Sequence, residues 1–383
     1  VGAPIQLEEN YMQKKLIALA VAGLLSAPAF AQSNVTLYGS IDFGYVNLGK
    51  NAIDGIGNRN AIDSGISKNN RIGFKGTEDL GDGLKAVFVL ETGLSGDQTG
   101  MFKDGNARQT YAGLAGGFGT VAFGRQYTPQ HLFTSAVDPF GKQGLGSAGN
   151  VLLQDKRLNN LAAYISPNWG GFSFIAGWTW NGLGEENWQN NGDARIWAIA
   201  PSFTWENLFV GANYHSAKLN FSQAPDVSAL RAYDLYASYD FGFVKVGGTI
   251  GQRVTKKEVT GAVRDTKVLQ WMLGATFKVT ASDSILASYA RARENDYDNA
   301  GVRSKLGQWA IGYEHALTKR TVLYAQFAIQ QQNDAFRQYG FGGSITTDAP
   351  VGSVASSYAI NPSTPAATAD YRRGFAVGFR HDF

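Results

Sequence analysis

Large apolar residues recur at every second position of this chain, in segment after segment. Leu269, Trp271, Leu273, Ala275 and Phe277 share one face of a strand, and Val268, Gln270, Met272, Gly274 and Thr276 share the other. Trp309, Ile311 and Tyr313 alternate in the same way with Gln308, Ala310 and Gly312, as do Leu323, Ala325, Phe327 and Ile329 with Tyr324, Gln326 and Ala328. A period of two marks strands whose faces meet different surroundings. The second face here is small or polar, as water beyond it requires. Such segments run from Asn34 to Phe383 without a linker, a low-complexity tract or a domain break. They predict one all-β domain over residues 32–383, an antiparallel barrel of about sixteen strands.

The connections are of two kinds. Gly81-Asp82-Gly83, Gly116 to Gly119, Pro167 to Gly171, Thr280 to Asp283 and Ala316 to Lys319 are short. Gly49 to Lys68, Thr128 to Arg157, Gly182 to Asn191 and Asn333 to Asp370 are longer and more polar. Short turns at one end and long loops at the other are the organisation of an outer-membrane barrel. A soluble sandwich or propeller predicts balanced loops and a packed second face. Closure follows from the solvent, because an open sheet edge in hydrocarbon leaves backbone groups unpaired at several kcal/mol each. Sixteen strands enclose a channel, whereas eight fill with side chains.

The start of the chain agrees with export. Lys14 and Lys15 precede the apolar run Leu16 to Leu25, and Ala29-Phe30-Ala31 follows. A basic start, an apolar core and an A-x-A ending are the parts of a secretory signal peptide, here residues 12–31 with cleavage after Ala31 and small residues at Ala29 and Ala31. The apolar run is about half the length of a membrane helix. Residues 1–11 fit no part of this pattern. Charged residues make up only 17% of the chain and the formal charge is +3, which argues against a nucleic-acid partner. There is no cysteine to staple an exported fold.

The final segment places Tyr371, Phe375, Val377, Phe379 and the terminal Phe383 on one face. A terminal aromatic on such a strand is the signal read by the barrel-assembly machinery. Strand addition supplies its physics, with backbone pairing for affinity and alternate side chains for specificity. Phe379 and Phe383 are the candidate signal residues. Tyr164, Trp169, Trp178, Trp180, Trp271 and Trp309 are candidates for aromatic girdles at the two membrane interfaces.

These residues resemble the general porins of Gram-negative bacteria, in particular the trimeric porins of β-proteobacteria such as Comamonas, Burkholderia and Neisseria. The resemblance is carried by VTLYGSID (residues 35–42), RIGFKGTEDLGDGLKAVFVL (71–90), GFGTVAFGRQYTP (117–129) and the RHDF ending, and it covers essentially the whole mature chain. It implies a 16-stranded transmembrane barrel, a homotrimer in lipid and lipopolysaccharide, and a third external loop folded inward to narrow the pore.

By motif matching, the resemblance implies a basic ladder of Arg71, Arg108 and Arg157 on the wall, with Arg125 at the foot of the loop. The inward loop is residues 128–156, and Asp138 in the Asp138-Pro139-Phe140-Gly141 stretch is the acidic side. Lys142 lies just beyond, and Asp155 is among the loop's few other acids. Parity adds its own evidence. Ile72 and Phe74 face lipid, so Arg71 and Lys75 face the lumen, and Lys85 and Glu91 do so opposite Ala86, Phe88 and Leu90. Guanidinium groups with little opposing carboxylate imply a weak preference for anions among small ions and hydrophilic solutes.

No enzyme is indicated. His131, His215, His315 and His381 are scattered without ligand spacing, and neither a G-x-S-x-G elbow nor a phosphate loop occurs. No cofactor is expected. Two other classes stay open at this point, a substrate-specific channel and a surface adhesin or structural barrel. Conduction without substrate separates both from a general pore.

Overall fold

The computed structural model describes residues 34–49, 59–97, 101–102, 107–141, 144–154, 156–182, 194–219, 227–259, 262–295, 303–333 and 373–383. The signal peptide with Ala29 and Ala31, and the loop residues Lys142 and Asp155, lie outside them.

The alternation becomes an inside-out pattern of exposure. Leu273 is 57% exposed, whereas Met272 beside it is 2% exposed. Large apolar groups face outward in almost every strand, as lipid requires. The strands are β1 (Asn34–Leu48), β2 (Arg59–Ser64), β3 (Arg71–Gly81), β4 (Leu84–Gly93), β5 (Ala107–Gly116), β6 (Gly119–Tyr127), β7 (Arg157–Ile165), β8 (Phe172–Thr179) and β9 (Ala194–Trp205). The second half adds β10 (Leu208–Leu219), β11 (Val227–Asp240), β12 (Val244–Val259), β13 (Ala262–Lys278), β14 (Asp283–Asn295), β15 (Lys305–Ala316), β16 (Thr321–Gln332) and β17 (Arg373–Asp382).

Apart from β2 and β3, which both pair with β1, each strand pairs antiparallel with the next, and β1 closes the ring on β17, from Ser40↔Asp382 to Leu48↔Gly374. The seventeen segments make sixteen barrel strands, because β2 and β3 lie in line along one edge of β1. The expected connection Gly49 to Lys68 therefore contains a strand. Between its two parts, residues 65–70 leave the ladder and turn inward. Asp42 holds them, its carboxylate accepting from the backbone N–H of Ser67 and Lys68 at 2.7 and 2.6 Å and from the Tyr324 hydroxyl at 2.5 Å.

The expected short turns form one end of the barrel. At Gly81-Asp82-Gly83 all three residues have positive φ (90°, 50° and 77°), which explains the two flanking glycines. Tyr164 and Trp169 lie beside the short turns at this end, and Trp309 lies toward the other.

The long connection from β6 to β7 begins with helix α1 (Pro129–Val137). Thr128 caps it, accepting from the N–H of His131 at 3.1 Å, and Pro129 occupies its first turn. The connection packs on the small and polar face of the opposite wall. Phe133 and Val137 cluster with Tyr236, Val268 and Met272. Phe140 and Leu145 cluster with Ile66, Leu286, Tyr324 and Ala376.

Missing side chains make the seat. A Cβ added at Gly247 would lie 2.4 Å from the Val137 carbonyl oxygen, one at Gly274 2.5 Å from Pro139, and one at Gly312 2.8 Å from the Phe140 ring. Glutamines flank this groove. Gln270 grips Leu153 twice, accepting from its N–H at 2.7 Å and donating to its carbonyl at 3.1 Å. Gln326 accepts from Leu145 N–H at 3.1 Å, and Gln308 donates to the Ser147 carbonyl at 3.2 Å. Each such bond stabilises by about 0.5–1.5 kcal/mol.

Gly274→Leu overfills this groove at a cost of about 1–3 kcal/mol and lifts the connection from its seat. Limited proteolysis of the folded barrel should then cut within residues 128–156 in the variant and leave the wild type intact. Equal protection of both would remove the groove's role in docking.

Candidate functional site

The three ladder arginines converge from separate strands. Gly73 pairs with Tyr38 on β1 and with Glu91 on β4, giving a cross-strand row. A Cβ at Gly73 would lie 2.6 Å from the Tyr38 ring, so the ring crosses the glycine and its hydroxyl donates to Glu91 at 3.2 Å. Arg71, two residues before Gly73, reaches the same carboxylate at 3.4 Å.

Arg108 arrives by a different route. Along β5 the outward residues are Thr110, Ala112 and Leu114, so simple alternation would send residue 108 outward too. A register shift intervenes, because Glu91 pairs with Gln109 and Thr92 with Ala107. The bulge frees Arg108 from the ladder and turns it in, as bulges do near functional sites. Its Nε donates to Glu91 at 2.7 Å and its other arm donates to the Tyr127 hydroxyl at 2.8 Å. Arg157 donates to the same hydroxyl at 3.1 Å, with its guanidinium 4.6 Å from the Tyr127 ring centre.

Three guanidinium groups thus share one carboxylate and one phenol. The Glu91 side chain is 4% exposed, so its charge is spent on the arginines that cover it, while Arg71 keeps 21% of its side chain open. Glu91, Tyr38 and Tyr127 complete the site although the motif match named only the arginines. Parity had placed Glu91 inside, but pairing depends on register across three strands.

The other candidates lie apart. The Lys75 ammonium stands over the Tyr38 ring, 5.4 Å from its centre. Lys85 registers opposite Asp79 beside the short turn at residues 81–83. Arg125 registers opposite Thr110, and its guanidinium donates to the Ala107 carbonyl at 2.8 Å and to Asn159. It does not join the Glu91 cluster.

Asp138 ends helix α1 and is 6% exposed. Its carboxylate accepts from the backbone N–H of Ala148 at 2.8 Å and of Phe140 at 3.0 Å. Burial, partly offset by these donors, raises its pKa to about 7. Another carboxylate pins the helix to the wall. Asp234 on β11 accepts from Gln130 of α1 at 2.8 Å and from Asn213 at 3.1 Å. Nothing in the sequence marked it, since a single acid on an inward face has no local signature. Among the described residues no group of His, Asp or Glu is arranged to hold a metal.

Phe383 and Phe379 take their expected places on the closing strand. The backbone of Phe383 exchanges hydrogen bonds with Gly39 at 3.0 and 3.2 Å, and Phe379 pairs with Phe43 and Leu323.

Comparison with known proteins agrees with this geometry. Residues 18–335 match the family described as Gram-negative porin. The chain is 33% identical over 339 residues to outer membrane porin protein 32 of Delftia acidovorans, covering 85% of this chain and 91% of that one. It is 26% identical to the major outer membrane protein P.IB of Neisseria meningitidis serogroup B, covering 81% and 91%. The solved anion-selective porin from Comamonas acidovorans superposes with a TM-score of 0.73 at 27% identity, over 92% of this chain and all of that one. A trimer form of OmpT from Vibrio cholerae shares the fold, with a TM-score of 0.65 at 17% identity over 92% and 99%. With its closed sixteen-strand ring and its arginine-lined interior, the chain belongs to the Gram-negative porins and is a non-enzymatic channel of the outer membrane.

Proposed function

We propose that this porin is a general diffusion channel for small hydrophilic solutes and ions, with a weak preference for anions. Its narrowest section lies between the β6–β7 connection and the wall bearing Arg71, Arg108 and Arg157. The observation that carries this reading is the cluster at that wall, where Arg71 and Arg108 share the buried carboxylate of Glu91 and Arg157 adds a third guanidinium through the Tyr127 hydroxyl. Arginine stays cationic even beside other cations, so the excess persists at any physiological pH. Lys75 and Lys85 extend the positive face toward the short-turn end, and Arg125 braces the foot of the connection.

Asp138 helps fold the connection more than it shapes the field. Its carboxylate is turned onto the loop's own N–H groups and is neutral below about pH 7. Among the described residues the positive wall therefore meets little opposing charge. The name of the Comamonas structure, an anion-selective porin, points the same way. Assembly as a homotrimer, export by the signal cut after Ala31, and reading of Phe379 and Phe383 by the assembly machinery belong to the same proposal.

The test is the reversal potential of single channels in a potassium chloride gradient. The wild type should favour chloride. Arg71→Gln with Arg157→Gln leaves the Arg108–Glu91 pair intact and should lower the chloride-to-potassium ratio by about fivefold, the effect of ~1 kcal/mol between unit charges in water. Potassium preference in the wild type would overturn the constriction assignment, and the absence of conductance would overturn the diffusion channel.

Asp138 gives a separate expectation. A folded pKa above the unfolded value means the native state holds the extra proton, so this group's contribution is full below about pH 4 and is lost as pH rises through about 7. Asp138→Asn should flatten that part of the stability-versus-pH curve, measured by thermal melting, and leave the reversal potential unchanged. A large shift toward chloride would instead make Asp138 part of the field.

A further inference from the structure

The edge of β1 that receives β2 and β3 has a gap. β3 pairs with β1 as far as Ser40↔Arg71, and β2 takes over only at Phe43↔Ser64. Among the described residues no strand pairs with Ile41 and Asp42 on this side. Residues 65–70 fill the gap without continuing the ladder, and they enter it through Gly65, whose φ of 71° lies in the left-handed region that favours glycine.

Asp42 binds this segment at both ends and in the middle. Its carbonyl accepts from Gly65 N–H at 2.8 Å, and its own N–H donates to the Asn70 side chain at 2.6 Å. One carboxylate oxygen accepts from both Ser67 and Lys68 N–H, and the other accepts from Tyr324. Asp42 is wholly buried, so these donors stand in for the water it has lost. The last strand holds the segment too. Lys68 donates to Asp382 at 2.7 Å, and Arg380 donates to the Ser67 hydroxyl at 2.9 Å while also gripping Glu314.

A segment held so firmly carries one large apolar side chain, Ile66, and it too is wholly buried. A Cβ added at Gly44 would lie 3.0 Å from the Ile66 Cδ1, so the isoleucine lies close over that glycine of the wall. It clusters there with Phe140 and Leu145, the two residues that seat the tip of the β6–β7 connection. Tyr324, whose hydroxyl Asp42 holds, belongs to the same cluster.

We propose that residues 65–70 are a second inward element of the pore, a wedge that fixes the tip of the β6–β7 connection, and that Asp42 is its positioning residue. Asp42 touches no permeating solute and acts through Ile66. The amides of Gln326 and Gln308 hold the backbone of the tip, and the wedge adds a stop for its side chains from a different part of the chain. Without the wedge the tip is free to shift, and the bore varies with it. The inference rests on the reading that this connection borders the narrowest section.

The chain has no cysteine, so Leu145→Cys in the full barrel gives a single reporter at the tip, where the native side chain is buried. Alone it should react slowly with a water-soluble maleimide. Adding Asp42→Ala should speed labelling by about tenfold, the factor by which losing one hydrogen bond to a charged group shifts an opening equilibrium. Asp42→Asn keeps an oxygen for the Ser67 and Lys68 N–H groups and should restore slow labelling. In planar bilayers the Asp42→Ala channel should carry several-fold more open-channel current noise than the wild type. Ile66→Ala leaves the hydrogen bonds of the wedge in place and changes no charge. It should raise labelling and noise in the same way at an unchanged reversal potential, and it decides the matter should Asp42→Ala not fold. Slow labelling with a quiet current in folded Asp42→Ala or Ile66→Ala overturns the proposal, and equally fast labelling in Asp42→Asn and Asp42→Ala overturns the positioning role. Labelling needs no ion flow, so it decides this proposal even where the conduction reading fails.

Discussion

Everything in this molecule depends on pairing the backbone of the first strand with that of the last. In hydrocarbon an unpaired N–H or C=O has no water to turn to. The ladder from Ser40↔Asp382 to Leu48↔Gly374 removes the two edges that sixteen strands would otherwise expose. Once the ring is closed, side chains need only satisfy two solvents, and the alternation of the sequence is the record of that division. The wide lumen follows from strand number.

The β6–β7 connection is held by subtraction as much as by contact. Gly247, Gly274 and Gly312 give the β6–β7 connection a seat by having no side chain, and Gln270, Gln308 and Gln326 fasten its backbone. The wall it faces is built differently, from long charged side chains around Glu91. One half of the interior is therefore shaped for docking and the other for solvent.

Much of this was legible in the sequence, and the limits have physical causes. Period two located the strands and sent Arg71 and Glu91 inward, because parity survives wherever the ladder is regular. It fails at Arg108, where a bulge inserts one residue and reverses the face, and only the motif recovered that residue. The strand Arg59–Ser64 was hidden because its polar, short segment pairs with a rim and needs no apolar stripe. The direction of the Asp138 side chain depends on the N–H groups of Phe140 and Ala148, which a sequence does not position. The Asp234 anchor was invisible for a similar reason, since its amide partners come from α1, β10 and β13.

The cluster that receives Phe140 and Leu145 draws Val46 and Leu48 from β1, Ile66 from the inward excursion, and Leu286, Tyr324 and Ala376 from β14, β16 and β17. Those from β1 and the inward excursion join those from β14, β16 and β17 only when the two ends of the chain meet. The seat for the tip of the β6–β7 connection is therefore complete only once the ring is closed. Contacts of such long sequence separation are slow to form. The architecture thus makes the last contacts of the connection depend on the closure of the wall.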